Sequence, residues 1–374
     1  MSFLKKIFSS ALPENLQQAL EKAINTLSIE GIDAAVFQDK IVTDATFKKG
    51  VLTLKLCLPF AARSLWPALE QQLNHSLQQT EDVNEVKFEW NTEIIAHQTH
   101  NQAQPLEGVK NIIAVASGKG GVGKSTTSVN LALALQQEGA RVGILDADIY
   151  GPSIPTMLGI HEKPQTLDGK SMEPLIAHGL KLMSIGFLID PAEPMIWRGP
   201  IVTQTLMQLL NETNWSDLDY LVIDLPPGTG DVQLTLSQQI PVTGAVVVTT
   251  PQEIALIDAR KGLKMFEKVN IPILGIIENM STHICSQCGH EEAIFGEHGG
   301  EKLASESNTK LLGKLPLDGK IRLAMDQGKP TLVEQPSGEI ASRYREMVWT
   351  IGSDIALQRK SYASVFPNIV VENS

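Results

Sequence analysis

Gly118-Lys119-Gly120-Gly121-Val122-Gly123-Lys124-Ser125-Thr126 is the stretch from which the rest of this 374-residue chain can be interpreted. The apolar run before it, residues 111–117 (NIIAVAS), predicts a buried strand, and residues 124–138 place apolar side chains four apart, which predicts a helix. Between a strand and a helix, glycines let backbone N–H groups close around phosphate oxygens, and the helix N-terminus adds a positive dipole. The stretch therefore predicts a phosphate-binding loop.

Two lysines and a serine of this loop have separate predicted tasks. Lys124 is positioned to reach the outer phosphates of a nucleotide, and Ser125 to hold Mg²⁺. Lys119, at the start of the loop, points away from the dipole of its own helix, which predicts a cation supplied to the phosphates of a second subunit. A solvated surface lysine is the alternative for Lys119, and a glycine-rich turn without a ligand is the alternative for the whole loop.

Composition limits the classes of function. The length exceeds one typical core, which predicts two domains. A formal net charge of −11 argues against a nucleic-acid partner and against an anionic membrane surface. The sequence contains neither an apolar run of signal-peptide length nor one of membrane-spanning length, so we expect a cytoplasmic protein. Three cysteines are too few for a disulfide framework and indicate a reducing compartment with thiols free for metal.

Residues 1–95 predict a small α+β domain. Apolar side chains at helical spacing alternate with runs of period two, in the order helix 12–27, strand 51–58, helix 63–77 and strand 83–90. Cys57 faces away from the leucines of its strand and is interpreted as a structural thiol.

Residues 96–108 (AHQTHNQAQPLEG) are polar and lack periodicity, which predicts a linker. Neither a cysteine nor a carboxylate lies beside His97 and His100 in the sequence, so metal binding there is not expected.

The remaining residues, 109–374, alternate apolar strand candidates with helices. The strand candidates are residues 111–117, 141–145, 220–223, 244–249, 273–277 and 311–315. Such alternation predicts an α/β fold with a mostly parallel sheet covered by helices on both faces. Ligands of such sheets bind beyond the carboxyl ends of the strands, so the polar residues that follow each strand are the candidate site.

Acidic residues follow two of these strands. Asp146 and Asp148 lie two apart in DADIYGPS (146–153) and can face one Mg²⁺; Asp146 is predicted to support the metal shell and Lys124, and Asp148 to orient the attacking water. Asp224 ends the next apolar strand and is predicted to hold Mg²⁺ through water. The loop that follows it (LPPGTG, 225–230) resembles a switch II segment, and this resemblance implies that its backbone senses the outer phosphate. A capped turn is the alternative for 146–153, and a helix N-cap is the alternative for Asp231.

Cys285 and Cys288 form a C-x-x-C pair whose two thiolates can bind one metal centre. A tetrahedral site or an iron–sulfur cluster needs four ligands. Two subunits related by a two-fold axis would supply them, with one pair of cysteines from each. Other interpretations stay open: a Zn²⁺ site within one chain, a redox dithiol and two unligated thiols. The histidines that could complete such a Zn²⁺ site are His283, His290 and His298.

These motifs together resemble a known family. GKGGVGKST resembles the deviant Walker A loop of the dimeric P-loop ATPases that include the Min and Par proteins, nitrogenase iron protein and the iron–sulfur carriers. DADIYGPS, the WRGP stretch at Arg198 and residues 278–290 are similar to the Mrp/ApbC-type iron–sulfur cluster carriers over about residues 108–338. The first 95 residues resemble, by the order of their elements, the small MIP18-related domain that precedes many bacterial members.

The resemblance implies a P-loop NTPase that binds ATP and Mg²⁺, hydrolyses ATP slowly and carries a [4Fe–4S] cluster between the two subunits of a homodimer. It implies a cluster assembly scaffold as donor and apo iron–sulfur proteins as recipients, and it assigns Asn279 to the adenine base, with a cap or turn as the alternative. A Min/Par-type positioning switch is the main rival, but the chain lacks its basic surface or tail. A small-molecule phosphotransferase, a further rival, leaves the cysteine pair without a role.

Overall fold

Two hydrophobic cores organise the chain. The structure, a computed structural model, describes residues 12–38, 41–99, 103–188, 199–285 and 287–360. The smaller core is formed by residues 12–83 and the larger one mainly by residues from 112 onward, and Trp349 packs against both. The predicted division into residues 1–95, 96–108 and 109–374 stays a prediction in its boundaries.

The N-terminal unit is a three-stranded sheet covered by helices. Strands β1 and β2 form an antiparallel pair, and β3 adds in parallel to β2. The elements are α1 (Glu14–Asn25), α2 (Ala35–Gln38), β1 (Val42–Lys48), β2 (Val51–Leu58), α3 (Trp66–Leu77) and β3 (Glu85–Thr92).

Leucines at the predicted spacings build the core of this unit. Period two in β2 places four leucines on one face, and a spacing of four in α3 places three more on one side of that helix. All seven are buried: Leu52, Leu54, Leu56, Leu58, Leu69, Leu73 and Leu77. Cys57 lies on the other face of β2 and is half-buried.

The predicted order helix, strand, helix, strand was incomplete, because β1 and α2 were not predicted. The register of β1 against β2 shifts between Val42 and Asp44. Its buried residues, Val42 and Ala45, consequently lie three apart and do not alternate. A bulge of this kind removes the period-two pattern by which a strand is identified in a sequence.

The second unit is an eight-stranded sheet in the order β13-β10-β9-β4-β8-β5-β7-β6. All neighbours are parallel except β6 and β7. The strands are β4 (Val109–Ala116), β5 (Val142–Asp146), β6 (Leu175–Ala177), β7 (Leu180–Ser184), β8 (Leu218–Asp224), β9 (Gly244–Thr249), β10 (Ile273–Glu278) and β13 (Leu311–Lys314). A separate hairpin pairs β11 (His283–Ile284) with β12 (Glu291–Glu292).

Helices cover this sheet, as predicted. They are α4 (Lys124–Gln137), α5 (Ile154–Leu158), α6 (Gly199–Glu212), α7 (Asp231–Gln239), α8 (Glu253–Lys268), α9 (Gly299–Glu306), α10 (Gly319–Asp326), α11 (Thr331–Glu334) and α12 (Glu339–Ala356). α12 packs beside α4, α6 beside α7, and α8 beside α9. The six predicted strands are present within one or two residues of their predicted ends, whereas the short pair β6 and β7 was not predicted.

One buried carboxylate ties the two units together. Glu138 follows α4 directly and is 2% exposed. Its carboxylate accepts hydrogen bonds from the Ser64 backbone N (2.8 Å) and Oγ (2.6 Å), and Arg345 on α12 lies 3.6 Å away. The end of the helix that begins at the phosphate-binding loop is therefore fixed against the N-terminal unit.

The segment predicted to be a linker is partly built into this junction. His97 is 3% exposed, and its Nδ1 lies 3.0 Å from Asn111 Oδ1 on β4. Residue 97 also forms a bridge with Lys360 after α12. Burial lowers the pKa of His97.

His100 and Arg198 lie outside the described residues. Within the described ranges, none of the helices combines the length and the apolar character that crossing a bilayer requires.

Candidate functional site

The glycine-rich loop joins β4 to α4 and is shaped by two close approaches. A Cβ at Gly118 would lie 2.4 Å from the backbone oxygen of Asp258, so only glycine lets α8 pack against the start of the loop. Gly123 has a φ of +84°, and a Cβ there would lie 2.1 Å from Asn279 Nδ2. Both positions thus need glycine, one for contact and one also for its left-handed backbone.

The middle of the loop is open. A Cβ at Gly120 or Gly121 would meet nothing within 4 Å, and the loop borders a cavity of about 190 Å³. Lys124, Ser125 and Thr126 also line this cavity, at the N-terminus of α4. Open glycines, a lysine and a helix N-terminus suit the phosphates of a nucleotide.

Three carboxylates surround the ammonium group of Lys124. Its Nζ lies 2.7 Å from Asp224 Oδ2 and 4.0 Å from Asp148 Oδ2, and Asp224 pairs in the sheet with Asp146 at the ends of β8 and β5. Ser125 Oγ donates to Asp224 Oδ2 at 2.6 Å. Carboxylates with a serine hydroxyl are the hard oxygen donors that suit Mg²⁺. The predicted residues of the nucleotide and metal site therefore lie together.

Burial and mutual repulsion perturb these acids. Burial, followed by the charge of Asp224, raises the pKa of Asp146 to about 7. Burial also raises the pKa of Asp148, against the opposing effect of Lys124. The cluster holds more negative charge than one lysine neutralises, which favours the arrival of a cation.

Asp146 also holds the loop that follows it, in agreement with the capped turn given as the alternative for residues 146–153. Its carboxylate accepts hydrogen bonds from the backbone N–H groups of Asp148 (3.2 Å), Ser153 (3.1 Å) and Ile154 (3.2 Å). Ser184 Oγ at the end of β7 adds a fourth, at 3.2 Å. Asp146 thereby fixes the loop that carries Asp148 beside the cavity, in addition to the metal-supporting role that stays a prediction.

The loop after β8 is held by a residue that the sequence analysis missed. Gln233 Oε1 accepts a hydrogen bond from Gly230 N at 2.9 Å, and its Nε2 donates to the carbonyls of Pro226 and Pro227. The N-cap of α7 is Gly230, and Asp231 is the first helical residue, so the N-cap alternative for Asp231 was wrong. A buried glutamine three residues after a glycine N-cap was the available signal.

The side chains of Asn279 and Lys119 differ in how firmly they are held. Asn279 Nδ2 donates to the Val122 carbonyl at 2.9 Å, and the residue is 9% exposed. Its predicted contact with adenine is not tested by this arrangement. Lys119 is half-buried, and within the described residues its Nζ forms neither a hydrogen bond nor an ion pair. Its ammonium group is therefore available to a partner.

The cysteine pair occupies the turn of the β11–β12 hairpin. Cys285 N donates to the His290 carbonyl, and Gly289 N donates to the Cys285 carbonyl, both at 2.9 Å. Cys288 is exposed and Cys285 is partly exposed. Hydrogen bonds from the backbone N–H groups of Cys288 and then Gln287, and one from the Cys288 thiol, lower the pKa of Cys285. The turn therefore favours the thiolate, which is the form that binds metal.

Among the described residues, no complete metal site forms around this hairpin, because neither cysteine belongs to a group of three or more histidine, cysteine, aspartate or glutamate side chains that could hold a metal ion. His283 Nδ1 lies 3.2 Å from the Leu317 carbonyl, and His298 Nδ1 lies 2.6 Å from Glu301 Oε2. In the part of the chain that the structure describes, neither His283 nor His298 joins the cysteines in a group that could hold a metal ion, so the Zn²⁺ site within one chain is not formed there.

Comparisons with known proteins identify the family of this chain. A family profile described as "ParA: NUBPL iron-transfer P-loop NTPase" matches residues 108–352. An iron–sulfur cluster carrier protein of Haemophilus influenzae is 49% identical over 97% of this chain and 98% of its own length. The carrier protein of Escherichia coli K12 is 53% identical over 82% of this chain and 84% of its own. The iron–sulfur cluster transfer protein NUBPL of Mus musculus is 49% identical over 69% and 80%.

A solved structure extends the comparison to the fold. The nucleotide-binding protein of Archaeoglobus fulgidus, in complex with ADP, is 38% identical and covers 62% of this chain and 91% of its own, with a TM-score of 0.55. The family profile covers well over half of the chain, and the carrier relatives extend over most of it. This chain belongs to the family of ParA/NUBPL iron-transfer P-loop NTPases.

Proposed function

We propose that this chain is an ATP-dependent iron–sulfur cluster carrier of the cytoplasm. Two copies form a homodimer, each binds and slowly hydrolyses ATP with Mg²⁺, and the pair holds one [4Fe–4S] cluster as cargo. The cluster comes from an assembly scaffold and is delivered to apo iron–sulfur proteins. The names of the relatives, cluster carrier and cluster transfer proteins, support the cargo.

One observation carries the proposal. The hairpin offers two accessible thiols whose turn favours the thiolate of Cys285, and the described part of one chain supplies no third ligand beside them. A four-thiolate cluster is completed when Cys285 and Cys288 of a second copy approach across a two-fold axis. An incomplete and exposed site is what a carrier needs, because the cluster must leave again.

The nucleotide site supplies the groups that hydrolysis requires. Lys124 exchanges its ion pair with Asp224 for the phosphate oxygens of ATP, which keeps its charge neutralised throughout. Ser125 and, through water, Asp224 would hold Mg²⁺, which neutralises charge on the transferred phosphoryl group when it is bound. Asp148, beside the cavity, orients the attacking water.

The second subunit completes this site as well. Lys119 has no partner among the described residues of its own chain, and its ammonium group is offered to the phosphates bound by the other copy. When ATP is bound, each phosphate-binding loop receives Lys119 from the other copy, and these contacts draw the subunits together. The same two-fold axis then serves nucleotide and cluster.

Nucleotide and cluster affect each other through the dimer. Loss of the outer phosphate releases the loop that Gln233 holds at Pro226 and Pro227, and the subunits move relative to each other. The four thiolates change their spacing and hold the cluster less tightly. By linkage, cluster occupancy changes nucleotide affinity by the same factor. The N-terminal unit, fixed to the end of α4 through Glu138, is proposed to recognise partners or to regulate this movement.

Anaerobic reconstitution tests the proposal. The chain is loaded with iron and sulfide, and iron, sulfide, absorbance and molar mass are measured on one sample. We expect about two iron atoms and about two sulfides per chain, in a species of twice the chain mass. A monomer that retains cluster, or a stoichiometric content of Zn²⁺ instead of iron, would overturn the shared site. A second titration compares nucleotide affinity with and without cluster, and equal values would overturn the coupling.

A further inference from the structure

Three side chains of α4 contact the Asp224 carboxylate, two of them at Oδ2 and one at Oδ1. Lys124 Nζ (2.7 Å) and Ser125 Oγ (2.6 Å) both contact Oδ2. Ser128 Oγ lies one helical turn further on and donates to Oδ1 at 2.6 Å. Residues three apart on a helix share a face, so Ser125 and Ser128 reach the same carboxylate from successive turns.

The two contacts at Oδ2 are temporary in the proposed reaction. Lys124 and Ser125 line the cavity next to the loop glycines, where phosphate and metal are expected. Both groups leave Oδ2 when they engage those ligands. The carboxylate, which is fully buried, then loses the lysine and the serine proton together.

Ser128 is the contact that remains. It is fully buried, and it is absent from the lining of the cavity, so nucleotide and metal do not compete for its hydroxyl. A hydrogen bond to a charged oxygen is among the stronger ones in proteins, and one that fixes Oδ1 also fixes the direction of Oδ2. The other oxygen is thereby held toward the metal shell.

We propose that Ser128 is a positioning residue that keeps Asp224 Oδ2 directed at Mg²⁺ after Lys124 and Ser125 have turned to the nucleotide. This inference rests on the proposed binding of ATP with Mg²⁺. Without Ser128, Oδ1 loses its hydroxyl donor. Once Lys124 and Ser125 have left Oδ2, the carboxylate is then free to rotate away from the metal.

A purely structural role for Ser128 has a matched comparison in the same chain. Ser128 Oγ also lies 3.0 Å from the Lys124 carbonyl, four residues back. Ser353 on α12 is likewise fully buried, and its Oγ donates to the Thr350 carbonyl at 2.9 Å. Ser353→Ala removes a buried helical hydroxyl without touching the carboxylates. Any general cost of such a loss appears in both variants.

The test measures metal dependence separately from nucleotide binding. A fluorescent ATP analogue is bound to the full-length chain in EDTA, and Mg²⁺ is then titrated, for wild type, Ser128→Ala, Ser128→Cys and Ser353→Ala. We expect affinity in EDTA to be unchanged within about twofold in all four, because Ser128 does not line the cavity. We expect Ser128→Ala to need about tenfold more Mg²⁺ for half-saturation, as the loss of one charge-assisted hydrogen bond predicts.

The remaining outcomes distinguish a failure of the positioning role of Ser128 from a failure of the proposed metal site. Ser128→Cys, which keeps a weak donor of similar size, is expected between wild type and Ser128→Ala. A half-saturating Mg²⁺ concentration in Ser128→Ala equal to that of wild type, or an equal shift in Ser353→Ala, overturns the positioning role alone. A wild-type chain that binds the analogue without any effect of Mg²⁺ overturns the proposed metal site, and this inference with it.

Discussion

The nucleotide loop and the cysteine hairpin are built in opposite ways. Around the loop, the charged groups other than Lys119 are largely buried and have partners within the same chain: Asp224 is fully buried, and Lys124 is 5% exposed. The hairpin consists of two strands of two residues each, and Cys288 at its turn is exposed. The loop follows β4, one of the two central strands of the eight-stranded sheet, whereas the hairpin stands outside that sheet.

This difference indicates what each region needs from outside. A buried cluster of charges must be satisfied within the chain, because an unpaired charge there is costly. Exposed thiols are solvated and can wait for a ligand from another molecule. In the proposed dimer, the loop receives one group from the second copy, Lys119, whereas the hairpin receives half of its ligands from that copy.

Removal of either hairpin cysteine tests this incompleteness most severely. Cys285→Ala or Cys288→Ala leaves two thiolates per dimer where four are required, so we expect complete loss of the cluster after anaerobic reconstitution. Iron and sulfide analysis measures it. Nucleotide affinity is expected to stay within about twofold of that of cluster-free wild type, because the loop is satisfied without the hairpin.

Cys57→Ala is the matched control for these variants. Cys57 is a half-buried thiol of the N-terminal unit, and we expect it to be dispensable for cluster loading. Cluster retained in both hairpin variants, or lost in Cys57→Ala, would contradict the assignment.

Lys124→Ala breaks the other side of the comparison. The substitution removes the ammonium group that contacts Asp224 and that, in the proposed site, exchanges this carboxylate for the phosphate oxygens of ATP. We therefore expect nucleotide affinity to fall about 100-fold, which is in the upper range for a charge-assisted hydrogen bond. The cluster is expected to load as in wild type. Titration with a fluorescent nucleotide and iron analysis measure the two effects.

Lys261→Ala controls for the loss of a lysine. Lys261 lies on α8 and pairs with Asp258 at 3.0 Å, without a contact to the carboxylates around Lys124. Unaltered nucleotide affinity in Lys124→Ala would remove the nucleotide role of the loop.

Lys119→Ala tests the contribution of a second copy to the loop. We expect ATP hydrolysis to fall about 10- to 100-fold, as the loss of one charge-assisted contact with the transition state predicts, while nucleotide affinity changes by less than about threefold. A mixture of Lys119→Ala with Lys124→Ala sharpens the test. In the mixed dimer, the intact cradle of the first variant receives Lys119 from the second, so activity is expected to recover. Activity equal to the average of the separate variants would argue against action in trans.

Thiol reactivity compares the hairpin with the N-terminal unit directly. Backbone N–H groups lower the pKa of Cys285 from its ordinary value of 9.0, whereas burial and then Glu93 raise the pKa of Cys57 from that value. The thiolate is the nucleophile, so alkylation of Cys285 starts at a lower pH than that of Cys57. At pH 8 we expect Cys285 to react about tenfold faster, as measured by mass spectrometry of iodoacetamide-treated protein. Coincident pH profiles would contradict this expectation.

Sequence reasoning succeeded where chemistry depends on adjacent residues. The loop and its flanking strand and helix are local patterns, and the strand and the helix were predicted within two residues of their ends. The cysteine pair was identified from its spacing, but the β11–β12 hairpin that carries it was not predicted. The carboxylates Asp146 and Asp224 were predicted as partners of one site because both end parallel strands, and those strands are neighbours in the sheet.

It failed where a side chain is positioned by a distant element. His97 lies in a polar stretch, and its burial depends on Asn111 and on the end of α12. Ser128 is an ordinary helical residue until the fold places Asp224 beside it. In both cases the partner is unrecognisable from spacing along the chain, because the contact is formed by tertiary packing. Gln233 differs, because its partners lie three to seven residues away and its spacing from Gly230 was a usable signal.

Asn279 is the residue at which the two regions meet, and it carries the smallest expected effect. Its Nδ2 donates to the Val122 carbonyl of the loop, and it begins the segment that leads to Cys285. That segment is braced as far as the hairpin: Ser281 N donates to the Leu315 carbonyl at 2.9 Å, and Leu317 N to the Thr282 carbonyl at 2.7 Å. A shift of the loop on phosphate binding therefore displaces the start of the hairpin.

We expect saturating ATP to change the alkylation rate of Cys285 in wild type, and Asn279→Ala to reduce that change about threefold, since one neutral hydrogen bond is worth roughly 1 kcal/mol. Ser281→Ala is the matched control. Its hydroxyl contacts the Leu315 carbonyl at 3.0 Å and not the loop, so the response to ATP should persist. Measurement at saturating nucleotide separates this effect from any loss of affinity, including one caused by a contact with adenine. An ATP response in Asn279→Ala as large as in wild type would mean that the loop and the hairpin communicate only across the dimer, with no route inside one chain.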